Sequence, residues 1–220
     1  MTAATGIKTM LFDLDGTIMD TNELIIQSFL HSLKGIVPAD FNREHIIPSM
    51  GQPLTMQMQL FSGREDVTDL VAAYREINLK LHDEYVTAFP QVVEVFKRLH
   101  EAGIRIGIVT TKMRLTTERG LRFVGLYDYI EPGAIVTIED VENPKPHPEP
   151  VLKAVELLGA DPASTLMVGD SGVDIEAANA AGVTSVGVAW SLKGEQKLKE
   201  SGARHIIHDM RDLYPFVGLE

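Results

Sequence analysis

The stretch Met10-Leu11-Phe12-Asp13-Leu14-Asp15-Gly16-Thr17 places two carboxylates, a glycine and a hydroxyl directly after a short apolar run. In an extended backbone the side chains at positions i and i+2 point the same way, so Asp13 and Asp15 are expected to project together from the end of a strand. Like charges this close repel each other unless a cation lies beside them or one carboxylate takes up a proton. The stretch therefore predicts either a reaction centre or an Asp-rich turn, since Asp-Gly is common in turns.

The composition excludes several kinds of chemistry. The 220 residues contain no Cys, which rules out disulfides, thiolate metal ligands and a Cys nucleophile, and leaves carboxylates, His and hydroxyls. With 20 Lys and Arg against 31 Asp and Glu, the net charge of -11 disfavours binding to nucleic acid or to an anionic membrane surface. An anionic substrate would therefore need a metal ion or a few well-placed cations.

The sequence carries no sign of a membrane or export segment. No apolar run approaches the roughly 20 residues that span a bilayer, and the N-terminus lacks the charged-then-apolar pattern of a signal peptide. We therefore expect a cytoplasmic protein that does not contact membranes.

A helical pattern fills the segment after the first strand. Residues 7–12 predict a buried strand, and from Asp20 onward apolar residues recur at helical spacing. Asp20 and Glu23 are spaced as in a capping box, which predicts the start of the first helix. Further helices are predicted at 42–50, 54–62 and 66–86. Because no strand pattern separates these helices, residues 19–88 are expected to form an all-helical insertion.

From Pro90 onward, predicted helices and strands alternate. A helix that ends at Gly103 precedes a strand at 104–109. The other predicted elements are helices at 114–124, 148–158 and 173–181 and strands at 134–138, 165–168, 183–189 and 204–207. This alternation predicts an α/β fold, a Rossmann-like doubly wound parallel sheet with helices on both faces, formed by residues 1–18 and 89–220. Ligands of such sheets bind beyond the carboxyl ends of the strands.

Polar residues follow several of the predicted strands. Thr110 follows the strand at 104–109, Asp170 and Asp174 follow the strand at 165–168, and Lys145 is flanked by prolines just before a helix. Each residue alone has an ordinary structural explanation, such as a helix N-cap for Asp170 or a solvated side chain for Lys145. Their occurrence in this order at successive strand ends favours a functional site.

The four segments that carry these residues resemble a known family. DLDGT at 13–17, IVTTK at 108–112, NPKP at 143–146 and GDSGVD at 169–174 are similar to motifs I to IV of the haloacid dehalogenase (HAD) superfamily. The helical insertion 19–88 resembles the C1 cap domain of that family. The resemblance covers essentially the whole chain, and it implies a phosphatase or mutase branch, because dehalogenases lack the second Asp of DLDGT.

The resemblance implies roles for the core residues. It implies that Asp13 is the nucleophile, that Asp15 is the general acid and base, and that the phosphoryl ligands are Thr110, Thr111 and Lys145. Mg²⁺ is the implied cofactor, and its implied ligands are Asp13, Asp15 through its backbone carbonyl, and Asp170, with Asp174 in support. The charges agree with this, because carboxylates beside a phosphoryl group are workable only with a hard cation that prefers oxygen ligands.

The insertion contains one candidate for substrate contact. The loop Met50-Gly51-Gln52-Pro53 resembles the glycine-containing specificity loop of C1 caps, which makes Gly51 and Gln52 candidates, although an ordinary interhelical turn explains the loop equally well. Lys112 and Arg114 follow Thr110 and are expected to be solvated residues at the start of a helix.

The resemblance leaves the substrate open. Several stretches, notably 20–31 and 143–150, are similar to the branch of the family that hydrolyses inorganic pyrophosphate. Phosphoglycolate phosphatase is the nearest alternative, and β-phosphoglucomutase is a more distant one. A receiver-type signalling module is an alternative of another class, since it also combines Asp, Thr and Lys on a parallel sheet. The expected partner is thus pyrophosphate or a small phosphorylated metabolite.

Overall fold

The computed structural model of the chain describes residues 6–220, so residues 1–5 of the expected core segment 1–18 lie outside the described part. In chain order its strands are β1 (Thr9–Phe12), β2 (Met19–Asp20), β3 (Thr87–Ala88), β4 (Arg105–Val109), β5 (Ile135–Val136), β6 (Thr165–Gly169), β7 (Thr184–Val188) and β8 (His205–Ile207). Six of them form a parallel sheet in the order β5-β4-β1-β6-β7-β8. This confirms the predicted fold class.

Nine α-helices are present among residues 6–220. They are α1 (Asn22–Ser32), α2 (Arg43–Ile46), α3 (Leu54–Ser62), α4 (Thr68–Tyr85), α5 (Val92–Glu101), α6 (Arg114–Phe123), α7 (Glu149–Leu157), α8 (Gly172–Ala180) and α9 (Glu195–Glu200). Short 3₁₀ segments lie at Ile47–Ser49, Tyr127–Tyr129, Ile138–Asp140, Pro162–Ser164 and Met210–Val217. None of the helices in this part of the chain is both long and apolar enough to cross a membrane.

The central strand β1 is buried on both faces. Met10 and Phe12 pack in a cluster with Phe96 of α5, and the Phe12 and Phe96 rings are 4.7 Å apart between centroids. Leu11 points to the opposite face, where it packs in a cluster with residues of α7 and α8. Because β1 lies between β4 and β6, the residues that follow these three strands meet at one edge of the sheet.

The four helices between β2 and β3, residues 22–85, form a helical unit with its own core. The Phe29 ring of α1 packs against Phe61 at 5.4 Å and Tyr74 at 4.8 Å between centroids. The chain enters and leaves this unit through β2 and β3, which pair as a short antiparallel ribbon. The sequence analysis missed this ribbon because two-residue strands leave no periodic pattern.

The predicted capping box at the start of α1 is wrong. The N-cap residue is Thr21, and its side chain does not cap the helix. The Thr21 hydroxyl instead donates to Asp15 at 2.7 Å, while Glu23 forms an ion pair with Arg43 at 2.9 Å. Asp20, the other member of the predicted box, lies one residue before the N-cap and accepts the backbone N–H of Asn22 at 3.2 Å.

Candidate active site

Three buried carboxylates converge at the carboxyl edge of the sheet. Asp13 follows β1, Asp170 follows β6, and Asp174 lies in the first turn of α8; these residues are 7%, 6% and 1% exposed. Each offers an oxygen, and the three oxygens lie within 4.8 Å of one another. Three carboxylates in so small a buried volume require positive charge nearby or the uptake of a proton.

Lys145 supplies part of that charge. Its ammonium donates to Asp13 at 2.7 Å, to Asp174 at 2.6 Å and to the backbone carbonyl of Val109 at 2.8 Å. All three N–H bonds of the ammonium are therefore used, and the side chain is 2% exposed. The arrangement fixes the nucleophile candidate Asp13 relative to β4 and α8.

The electrostatics of this cluster are strongly perturbed. Burial raises the pKa of Asp13 to about 8 against the lowering effect of Lys145, and the charges of Asp174 and Asp170 add to the rise. Burial also raises the pKa of Asp170 to about 6, opposed by Lys193. Burial alone would lower the pKa of Lys145, but Asp13 and Asp174 outweigh it and raise that pKa. Lys145 and Lys193 are two positive charges beside three carboxylates, so a bound cation would be favoured there.

Gly16 allows the chain to turn close to Asp170. Its φ of +81° is in the left-handed region, and a Cβ at this position would lie 2.7 Å from an oxygen of Asp170. Any larger residue would displace the Asp170 carboxylate or the turn itself. The Asp-Gly of the opening stretch is thus a turn and also part of the site.

Asp15 is placed apart from the three buried carboxylates. Its carboxylate accepts from Lys112 at 2.9 and 3.2 Å and from the hydroxyl of Thr21 at 2.7 Å. The expectation that Lys112 is a solvated helix-start residue is therefore wrong, because its side chain is only 12% exposed. Arg114 turns away from the site to Asp140 at 2.7 Å.

The two predicted threonines make different contacts. The hydroxyl of Thr110 accepts the backbone N–H of Lys112 at 3.2 Å, and within residues 6–220 its own O–H donates to no acceptor, so it can donate to a ligand. The hydroxyl of Thr111 donates to the carbonyl of Gly51 at 3.2 Å. Thr111 therefore ties the loop Met50-Gly51-Gln52-Pro53, here called the 50–53 loop, to the edge of the sheet.

The 50–53 loop lies directly against the site. A Cβ on Gly51 would be 2.9 Å from the Ser171 hydroxyl, which means that the glycine backbone itself packs on the core. The loop is held in shape by Gln57, whose side chain donates to the carbonyl of Gln52 at 2.8 Å. Gly51 thus makes the contact with the core, and Gln52 is half-buried beside it.

Lys193 is a site residue that the sequence analysis did not single out. Its ammonium lies 3.9 Å from Asp170 and is buried without a hydrogen-bond partner in the part of the chain described. Lys193 follows β7, which the sequence analysis predicted as a strand at 183–189. A lysine shortly after the end of a predicted strand was the signal that could have identified it. Ser171, beneath the 50–53 loop, was also missed. It is the N-cap residue of α8, and both its hydroxyl and its backbone N–H donate to Asp174, at 2.7 and 3.0 Å.

The fold and this acidic edge define the class of protein. The model of the haloacid dehalogenase-like hydrolases matches residues 10–188, and the chain therefore belongs to this family and is a hydrolase. The family resemblance of the four motifs is confirmed, while the receiver-type alternative finds no support.

The chain is also similar to individual proteins of the family. Pyrophosphatase PpaX of Bacillus velezensis is 42% identical over 97% of this chain and 98% of its own length. Pyrophosphatase PpaX of Bacillus pumilus is 44% identical over the same shares of the two chains. A solved hydrolase of the haloacid dehalogenase-like family from Streptococcus pneumoniae superposes with a TM-score of 0.82 at 22% identity, covering 95% of this chain and 97% of that one, and shows the same fold.

Proposed function

We propose that the protein is a Mg²⁺-dependent phosphohydrolase that cleaves inorganic pyrophosphate through an aspartyl-phosphate intermediate. The observation that carries this proposal is the buried Asp13, held by Lys145 beside Asp170 and Asp174 at the edge of the sheet. The PpaX relatives, named as pyrophosphatases, support the choice of substrate.

Asp13 performs the first step in this mechanism. A carboxylate oxygen of Asp13 attacks one phosphorus of the substrate, and the bond from that phosphorus to the bridging oxygen breaks. Asp15 gives a proton to the departing phosphate. The free O–H of Thr110 donates to the phosphoryl oxygens, while Lys145 keeps Asp13 aligned and adds positive charge. Thr111 lies beside this group but acts through the 50–53 loop.

Asp15 also serves the second step. Having lost its proton, it accepts one from a water molecule, which attacks the phosphorus of the aspartyl phosphate. The bond between Asp13 and phosphorus breaks, orthophosphate leaves, and the Asp13 carboxylate is restored. One pyrophosphate and one water thus yield two orthophosphates.

The donor set of the site fits Mg²⁺, which prefers oxygen ligands. Asp13 and Asp170, with the backbone carbonyl of Asp15, would hold the ion. Both oxygens of Asp174 are already hydrogen-bonded, one to Lys145 and the other to Ser171, so Asp174 orients the site instead. The bound ion would offset the negative charge of the phosphoryl group as it is attacked.

Residues 19–88 are proposed to act as a cap on the core formed by 1–18 and 89–220. The β2-β3 ribbon provides two adjacent chain crossings on which the cap could pivot, and the 50–53 loop packs on the core as in a closed state. Closure excludes bulk water from the aspartyl phosphate, so that the only water present is the one that Asp15 activates.

The choice of pyrophosphate depends on a cation near the leaving group. Among the cations of the helical unit, Arg43 and Arg64 pair with carboxylates of the same unit, at 2.9 and 2.7 Å. Lys112 instead contacts Asp15, the residue that would protonate the leaving group. We infer that Lys112 turns to the second phosphoryl group, which leaves Asp15 free to carry its proton.

Asp13→Asn should abolish turnover while leaving the fold intact. The amide is nearly the size of the carboxylate but is a poor nucleophile, so kcat should fall by roughly three powers of ten or more. Steady-state hydrolysis of pyrophosphate and of p-nitrophenyl phosphate measures this, with thermal unfolding as the folding check. Asp40→Asn, at an exposed position, is the matched control. Appreciable activity in a contaminant-free Asp13→Asn preparation would contradict the nucleophile assignment.

Removal of divalent metal should stop the reaction, and Ca²⁺ should not replace Mg²⁺. Ca²⁺ takes more ligands at longer distances and accepts both oxygens of a carboxylate, so it would tie up the oxygen that Asp13 needs for attack. A titration of chelated enzyme with each ion, alone and in competition, tests this. Equal rates with the two ions would show that Asp13 is not a metal ligand.

Gly51→Ala should impair catalysis by blocking closure of the cap. The added methyl group would lie 2.9 Å from the Ser171 hydroxyl, and φ is +93°. Gly35→Ala is the matched control, since Gly35 has a φ of +79° but no atom within 4 Å of the added methyl group. Both variants should lose similar stability, but only Gly51→Ala should lose about tenfold in kcat/KM, which equals about 1.4 kcal/mol. Equal kinetics of the two variants would refute the closure argument.

Lys112→Met should raise KM for pyrophosphate far more than KM for p-nitrophenyl phosphate, whose leaving group has no second phosphoryl charge. A charge-assisted hydrogen bond is worth about 1.5–3 kcal/mol, so a rise of about tenfold or more is expected for pyrophosphate. Lys97→Met, on the exposed face of α5, is the control. Equal rises of KM for the two substrates would exclude this role of Lys112. A separate measurement on the wild type tests the substrate: a much higher kcat/KM for phosphoglycolate than for pyrophosphate would exclude pyrophosphate as the preferred substrate.

A further inference from the structure

The loop between β7 and α9 is anchored to the site. Ser191 is 8% exposed, and its hydroxyl donates to the backbone carbonyl of Asp170 at 2.6 Å. The same hydroxyl accepts the backbone N–H of Lys193 at 3.2 Å. These two hydrogen bonds fix the backbone of Lys193 relative to Asp170, so the side chain has a defined place at the edge of the sheet.

The side chain of Lys193 ends in a buried and unsatisfied charge. It is 9% exposed, and its ammonium has no hydrogen-bond partner among residues 6–220. The nearest carboxylate, Asp170, is 3.9 Å away, beyond hydrogen-bond distance. Burying an ammonium without hydrogen bonds is costly, and such groups in proteins are normally paired. Among residues 6–220 the ammonium therefore has an ion-pair contact with Asp170 but no hydrogen-bonded anionic partner.

The surroundings of the ammonium show where such a partner would come from. A Cβ on Gly51 would lie 3.5 Å from it, so the 50–53 loop covers the lysine. The same glycine accepts a hydrogen bond from Thr111, which precedes Lys112. Gly51 thus contacts Thr111 and approaches Lys193, while Lys112, the residue after Thr111, contacts Asp15.

We propose that Lys193 and the 50–53 loop form an anion subsite that binds the second phosphoryl group of a diphosphate substrate when the loop lies on the core. The proposal rests on the proposed function, since it takes the substrate to carry two phosphoryl groups. The ammonium would donate to oxygens of the leaving phosphate. Lys193 is then a specificity-determining residue, because a substrate without a second anionic group leaves it unpaired.

Lys193→Met tests this subsite, because it removes the charge but keeps most of the side-chain volume. We expect KM for pyrophosphate to rise about tenfold or more and KM for p-nitrophenyl phosphate to change less than about threefold. Lys193→Arg, which restores a cation, should recover part of the loss. Lys197→Met, on exposed α9, should behave as wild type. Thermal unfolding verifies that each variant is folded.

A binding measurement provides a readout that does not depend on turnover. Imidodiphosphate is titrated by calorimetry into Asp13→Asn and into Asp13→Asn with Lys193→Met, both with Mg²⁺. The added substitution should weaken binding at least about tenfold, while binding of orthophosphate stays within about threefold. Equal loss for both ligands would overturn the proposal.

The opposing explanation is that Lys193 only offsets the charge of Asp170. In that case Lys193→Met would tighten Mg²⁺ binding and leave the ratio of the two KM values unchanged, a result that overturns the subsite. The proposed function fails separately, if the wild-type enzyme does not hydrolyse pyrophosphate. Wild-type pyrophosphatase activity combined with an unchanged KM ratio in Lys193→Met would reject the subsite alone.

Discussion

The hydrogen bonds of Lys145 are the constraint on which the site depends. They join this residue to Asp13, 132 positions away, to Val109, 36 positions away, and to Asp174, 29 positions away. Three segments of the chain that end at one edge of the sheet are thereby fixed on one buried ammonium. Because all its protons are used, the ammonium cannot move with one carboxylate without breaking its hydrogen bond to the other. The positions of Asp13 and Asp174 are therefore coupled.

The close approach of the carboxylates depends on glycine as well as on charge. A Cβ on Gly169 would lie 2.3 Å from the Cβ of Asp174, and one on Gly16 would contact Asp170. The sheet order places these residues beside each other, since β6 pairs with β1. The fold therefore provides the proximity, the glycines provide the space, and the lysine offsets the repulsion that results.

The sequence was sufficient to predict the parts of this structure that local pattern determines. Apolar runs located β1, β4 and β6, and polar residues just after them located Asp13, Thr110 and Asp170, because parallel strands bring their carboxyl ends together. Side-chain partners across long separations were beyond such reasoning. Lys112 looked like a solvated helix-start residue, but its partner Asp15 is 97 positions away. The capping box failed in part for the same reason, since Glu23 pairs with Arg43 of α2.

The charge of the whole chain gives little information about the charge of its site. A net charge of -11 opposes the approach of an anion, yet the cations at the edge of the sheet are mostly buried, with side-chain exposures of 2% for Lys145, 12% for Lys112 and 9% for Lys193. Charges on the outer surface are screened within about 8–10 Å at physiological salt, whereas buried charges a few ångströms from a ligand are screened much less. Short-range attraction at these lysines, together with the proposed Mg²⁺, can therefore outweigh the repulsion from the surface. The 50–53 loop would strengthen that attraction when it covers the site, because it excludes the water that weakens it.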